Sequence, residues 1–245
     1  MRKCNLYKVE MYRFIHSYFM FICMVVIFLA TIFFAVDHSE TLLGDGTQIG
    51  AVNSAMKVAN LMIVFIVSVV AANYVGREFK QKTVNHEVMA GYSLWKICCT
   101  KTITCGIFVS IMLQLCILIF FLPFSGVLQM YSLINILFMF FVLCHICTCT
   151  VLYVMLCRNG ALGGCLAFAR FTLLEVMALF TVKLFVTSDV HKGCKALSVM
   201  SQWSAVTRTD IVIPSEYMID IIGGAVVEYI VLLVIIELFS KRIDF

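Results

Sequence analysis

Residues 14–36 read FIHSYFMFICMVVIFLATIFFAV, a run without a lysine, arginine, aspartate or glutamate. A helix needs about 20 apolar residues to cross the hydrocarbon core of a bilayer. A secretory signal has a shorter apolar region, roughly 7–15 residues, and a small-residue cleavage site. The sequence FFAVDHSE at the end of this run is a poor one. The run therefore reads as an uncleaved first span, entered from a basic segment carrying Arg2, Lys3, Lys8 and Arg13.

The rest of the chain repeats the pattern. Its 245 residues are 62% hydrophobic and 13% charged, with a mean hydropathy of +1.03. Soluble domains run near half apolar and about a quarter charged, and disorder needs low hydrophobicity with high charge, so both classes are excluded. Two prolines exclude proline-rich and collagen-like chains. Further apolar runs occupy 58–75, 102–122, 132–156, 161–182 and 219–239. The fifth could instead run from Phe171 to Thr187. The expected fold is an all-α membrane protein of six transmembrane helices. It forms one domain over 1–245, with an amphipathic N-terminal helix, a connector at 76–101 and a long loop at about 183–218.

Sidedness follows from lysine and arginine, which accumulate on the cytoplasmic side of membrane proteins. Twelve of the 18 fall on the side of the N-terminus, the 76–101 connector, Arg158 and the Lys241–Arg242 tail. Five fall on the other side, and Arg170 lies within a span. Both termini are expected in the cytoplasm of a multi-pass plasma-membrane protein. Of the twelve cysteines, most sit within apolar runs as small hydrophobes, and only Cys194 falls in an outer loop, so no disulfide framework is implied.

The connector, GREFKQKTVNHEVMAGYSLWKICCTK at 76–101, is too polar for lipid and too long for a tight turn. Phe79, Val84, Val88, Leu94 and Ile97 are spaced as one helical face, interrupted at Gly91. That suits an amphipathic segment on the inner membrane surface or a docking element for a cytoplasmic partner. Thr83 or Asn85 could cap the helix within it.

Glu78-Phe79, Lys80, Thr83, Gly91, Ser93 and Lys101 follow the order of an element found between spans two and three of a known family. The chain resembles the permease subunits of ATP-binding cassette transporters of the type-2 exporter kind, including those of antimicrobial-peptide (lantibiotic or bacitracin) export and immunity. Lys82 stands where that family commonly has glycine, and Leu94-Trp95-Lys96 replaces the usual arginine neighbourhood. The resemblance implies a coupling helix that contacts a separate ATPase subunit through Glu78, Lys80, Lys82, Thr83, His86 and Glu87. It also implies a second permease copy, or a sibling permease, as partner. The chain has no GxxxxGK[ST] phosphate loop, so ATP hydrolysis is expected on another chain and no cofactor on this one.

Ionisable residues inside spans cost roughly 2.5–3.5 kcal/mol each on insertion scales. Glu228 and Arg170 both fall near mid-bilayer, and an ion pair between spans five and six is a candidate for packing or for the translocation path. Glu175, five residues beyond Arg170, would point about 140° away on an α-helix and need another partner. Glu237 precedes Lys241 in the favourable i,i+4 order. Cys144, His145, Cys147 and Cys149 spread around one helix, which favours packing over metal ligation. No protease, nucleophile-elbow or nucleic-acid motif is present. The alternatives are an ion-coupled secondary transporter using Glu175 and Glu228, or a non-transporting accessory or sensor protein. The expected cargo is amphiphilic: a peptide, an antibiotic or a lipid-like compound.

Overall fold

The computed structural model describes residues 6–18, 21–22, 25–26, 29, 48–121, 133–177, 180 and 215–240. Every regular element among them is helical: α1 (Leu6–Ile15), α2 (Gln48–Lys80), α3 (Thr83–Met89), α4 (Leu94–Phe121), α5 (Leu133–Cys157), α6 (Gly160–Ala169) and α7 (Ser215–Ser240). A π turn, Arg170–Leu174, continues α6. Three helices are long and apolar enough to cross a bilayer among the described residues: Leu94–Cys116, Ile134–Cys157 and Gly160–Met177. The protein is built as a membrane-embedded helical bundle.

The expected first span at 14–36 and the loop at 183–218 lie largely outside the described residues, as does Lys241. The N-terminal helix ends as the first apolar run begins, with Ser17 N donating to Phe14 O at 3.3 Å in a tightened last turn. The connector is shorter than the 76–101 expected from polarity. α2 continues through Lys80 and α4 begins at Leu94, so only α3 and two turns separate them.

Helix α5 sits at the centre, packed against α2, α4, α6 and α7. Most of its side chains are buried, among them Met139, Leu143, Ile146, Cys147 and Leu152, while Ile134, Leu137 and Phe141 are exposed near its start. Asn159 starts α6 by accepting from the amides of Ala161 at 3.0 Å and Leu162 at 3.3 Å. Small residues then bring α6 against α2. A Cβ on Gly76 would stand 2.5 Å from the Gly160 Cα, and one on Gly164 2.7 Å from the Ala72 Cβ. Ala72 and Gly76 face Gly160 and Gly164, two small-xxx-small pairs that let backbones approach closely. Gly223 of α7 makes no such approach: a Cβ there would meet open space.

The short α3 owes its geometry to two positive-φ positions. Lys82, at φ 56°, turns the chain out of α2. It holds a conformation that favours glycine. No side chain caps α3 at its N-terminus, so neither Thr83 nor Asn85 plays the capping role considered for it. At the other end Gly91, φ 85°, closes a Schellman motif: Gly91 N donates to Val88 O at 2.9 Å and Tyr92 N to Glu87 O at 3.2 Å. The apolar face anticipated for this segment turns inward. Val84 and Ile97 are fully buried, and Phe79, Val88 and Leu94 pack partly buried against the core.

Candidate functional site

Helix α1 buries Leu6, Glu10 and Phe14, one face at i, i+4 and i+8. A carboxylate in the middle of that face requires partners. The Phe14 ring packs against Tyr74 of α2 and Phe108 of α4, with centroids 5.1 and 5.2 Å away, and so fixes the height of Glu10. Opposite it stands Lys101 of α4, 0% exposed. Lys101 Nζ donates to Glu10 Oε1 at 2.6 Å and to Glu78 Oε2, and lies 3.4 Å from Glu87 Oε2. Arg13 Nη1 binds Glu87 Oε1, contacts Glu10 Oε1 at 3.1 Å and lies 3.9 Å from Glu78 Oε1. Tyr74 Oη donates to Glu10 Oε2 at 3.1 Å. One cluster of three carboxylates and two cations thus joins α1, α2, α3 and α4.

Its electrostatics separate the carboxylates. Burial raises Glu10, but Lys101, Arg13 and the Tyr74 hydroxyl outweigh it and hold that carboxyl below its ordinary value. Burial also raises Glu78, the charges of Glu10 and Glu87 add to it, and Lys101 does not offset them; Glu78 is pushed up to about 7. Three acids against two bases leave one negative charge too many, and a proton on Glu78 removes it.

Two residues expected to touch an ATPase are therefore placed otherwise. Glu78 and Glu87 are buried and turned inward, because Lys101 and Arg13 occupy the side they face. Lys80, Lys82 and His86 are exposed and Thr83 is half-exposed. Met89, 73% exposed, projects from the same short helix. Sequence reasoning missed Glu10 and Arg13 as partners of the connector. The available signals were an acid within a basic N-terminal segment and Lys101, the sole ionised residue between Lys96 and Phe121.

A second polar cluster lies among α5, α6 and α7. Arg170 Nη2 donates to Glu228 Oε2 at 3.3 Å, and Arg170 Nη1 to Glu175 Oε1 at 2.9 Å. The second contact corrects the expectation that Glu175 points away. Residues 170–174 form a π turn, whose i→i+5 bonding replaces the α-helical i→i+4 pattern and brings residues five apart onto one side. His145 Nε2 of α5 lies 3.3 Å from Glu228 Oε2. A cavity of about 790 Å³ opens beside these groups, lined by His145, Tyr153, Arg170, Gly223, Gly224 and Glu228. The open space at Gly223 is part of this cavity.

No known protein family and no curated protein matches the chain.

Proposed function

We propose that this chain is the membrane-spanning permease subunit of an ATP-driven exporter, with ATP hydrolysis on a separate cytoplasmic subunit. In this reading six spans cross the plasma membrane with both termini inside, and two permeases, identical or sibling, form the pathway. The observation that carries it is the position of α3: a seven-residue helix between two long ones, clamped from behind by charge, with His86 and Met89 exposed on it and Lys80 and Lys82 exposed just before it. A push on α3 would move Glu87, and through Arg13 and Lys101 it would reach α1 and α4 together. The exposed apolar faces of α6 and α7, including Leu162, Leu166, Val227, Val231 and Val234, suit lipid or a second permease. An amphiphilic cargo, such as a membrane-active peptide in export or self-protection, fits a pathway bounded by such surfaces.

The test is capture of the ATPase from the native host by the full chain carrying a photo-crosslinking residue at Met89. The expected result is a crosslinked ATP-binding cassette subunit, lost when Lys80 and Lys82 become glutamate and unaffected by a crosslinker placed at Leu162. ATPase activity from the purified single chain would overturn the separate-motor reading.

A further inference from the structure

His145 and Cys149 stand four residues apart on α5, and both project toward α7. One nitrogen of His145, the Cys149 sulfur and a Glu228 oxygen lie within 4.8 Å of one another. The expectation that the cysteines and histidine of this stretch diverge holds for Cys144, whose thiol donates to Gly106 O of α4. It fails for His145 and Cys149, because the third group comes from another helix. We infer that His145, Cys149 and Glu228 form a binding site for a divalent cation of the zinc class, joining α5 to α7 within the membrane.

Three observations carry the assignment. The first is the donor set: nitrogen, sulfur and carboxylate oxygen are the ligands zinc takes, and three protein ligands leave a fourth position open. The cavity lined by His145 and Glu228 adjoins two of the three ligands. The second is His145 itself, whose Nδ1 is buried without a hydrogen-bond partner among the described residues while its Nε2 lies 3.3 Å from Glu228 Oε2. A cation held between His145 and Glu228 would take the place of the proton in that contact. The third is distance. Ligands about 2.0–2.3 Å from a tetrahedral ion stand roughly 3.3–3.8 Å apart, so the three side chains need close by only about an ångström.

Arg170 is compatible with this site. Its one positive charge is divided between Glu175 and Glu228, and a carboxylate has about four lone-pair sites. Glu228 can therefore accept from Arg170 and ligate an ion at once, with Arg170 orienting the ligand from outside. Phe171, edge-on to the His145 ring at 6.2 Å, limits the swing of the imidazole. The inference does not depend on the exporter reading.

Cobalt(II) is the probe, titrated into the untagged full chain in detergent. The expected result is one equivalent bound, with a thiolate-to-cobalt charge-transfer band that one equivalent of Zn²⁺ removes. Cys149→Ser should abolish the band, while His145→Gln and Glu228→Gln should weaken binding at least ten-fold, since even outer-shell losses cost about 10–100-fold. Cys165→Ser, on the exposed face of α6, should change nothing. No charge-transfer band at saturating Co²⁺, or a band that survives Cys149→Ser, would overturn the assignment. A reading independent of variants is zinc-edge X-ray absorption of the unmodified chain loaded with Zn²⁺. It should show one sulfur at about 2.3 Å beside nitrogen and oxygen at about 2.0–2.2 Å. A shell without sulfur would also overturn the assignment.

Discussion

Arg170 and Glu175 are five residues apart in the chain and hydrogen-bonded at 2.9 Å. On an α-helix they would face different ways, and the π turn between them removes that separation. The same guanidinium reaches Glu228 of α7, so a local widening of one helix sets up a contact between two.

Reversing that contact is a direct test of it. The pair is partly buried, so removing one partner leaves the other charge only partly solvated and should cost less than the ~3–5 kcal/mol of a fully buried pair. Arg170→Glu and Glu228→Arg should each reduce the monodisperse yield in detergent severely. The double variant should recover much of the loss. Equal loss in the single and double variants would show that the pair does not hold α6 to α7.

Lys101 faces three carboxylates and is fully buried. Lys101→Met should destabilise the chain by about 3–5 kcal/mol, read as a lower midpoint for thermal loss of the monodisperse species. Adding Glu78→Gln to Lys101→Met leaves Glu10 and Glu87 facing Arg13 and removes the third carboxylate from the unbalanced cluster. The double variant is expected to be more stable than Lys101→Met alone, and a double-mutant cycle gives the coupling.

The pH response of the cluster follows from Glu78, which faces Glu10, Arg13, Glu87 and Lys101. Its carboxyl is raised from an ordinary 4.5 to about 7. Between those values the folded chain binds more protons than the unfolded one, so stability falls as pH rises through this window. Glu10, held low, acts in the opposite sense and loses its contribution only at more acidic pH. Thermal midpoints of the full chain between pH 5 and 8 should therefore decline, and Glu78→Gln should flatten the slope. A slope unchanged by Glu78→Gln would locate the titration elsewhere.

The two turns around α3 should respond differently to substitution. Gly91 at φ 85° closes the Schellman motif, and Gly91→Ala should cost about 1–2 kcal/mol. Lys82→Gly relieves a comparable strain at φ 56°. Glycine also frees the unfolded chain by about 0.4–1 kcal/mol, so the net should be a gain of about 0.6–1 kcal/mol, opposite in sign to the loss at Gly91. Equal effects at the two sites would show that φ does not govern the connector.

What the sequence disclosed was whatever is local. The uncharged run that contains α5, the turn at Gly91 and the inward face of Phe79, Val84 and Ile97 are properties of neighbouring residues, and periodicity exposes them. The glycines at 76 and 160 needed the fold, because their role is an approach between two helices. Glu78 and Glu87 were assigned to the ATPase contact because polarity alone does not show which way a carboxylate points when a partner lies as far off as Arg13 is from Glu87, 74 residues. Glu175 was misdirected for a different reason: a 3.6-residue period was assumed across a stretch wound as a π turn.

The charge cluster also imposes an order on biogenesis. Glu10 and Arg13 leave the ribosome before Lys101, which follows Glu10 by 91 residues, about 5–20 s at ordinary elongation rates. For that interval the N-terminal helix carries a carboxylate whose buried lysine does not yet exist. Its seat is completed only after the connector and the start of α4 have been made. The N-terminus of the chain is thus the last part of this corner to lock, and a ribosome pausing before Lys101 would leave it waiting at the membrane surface.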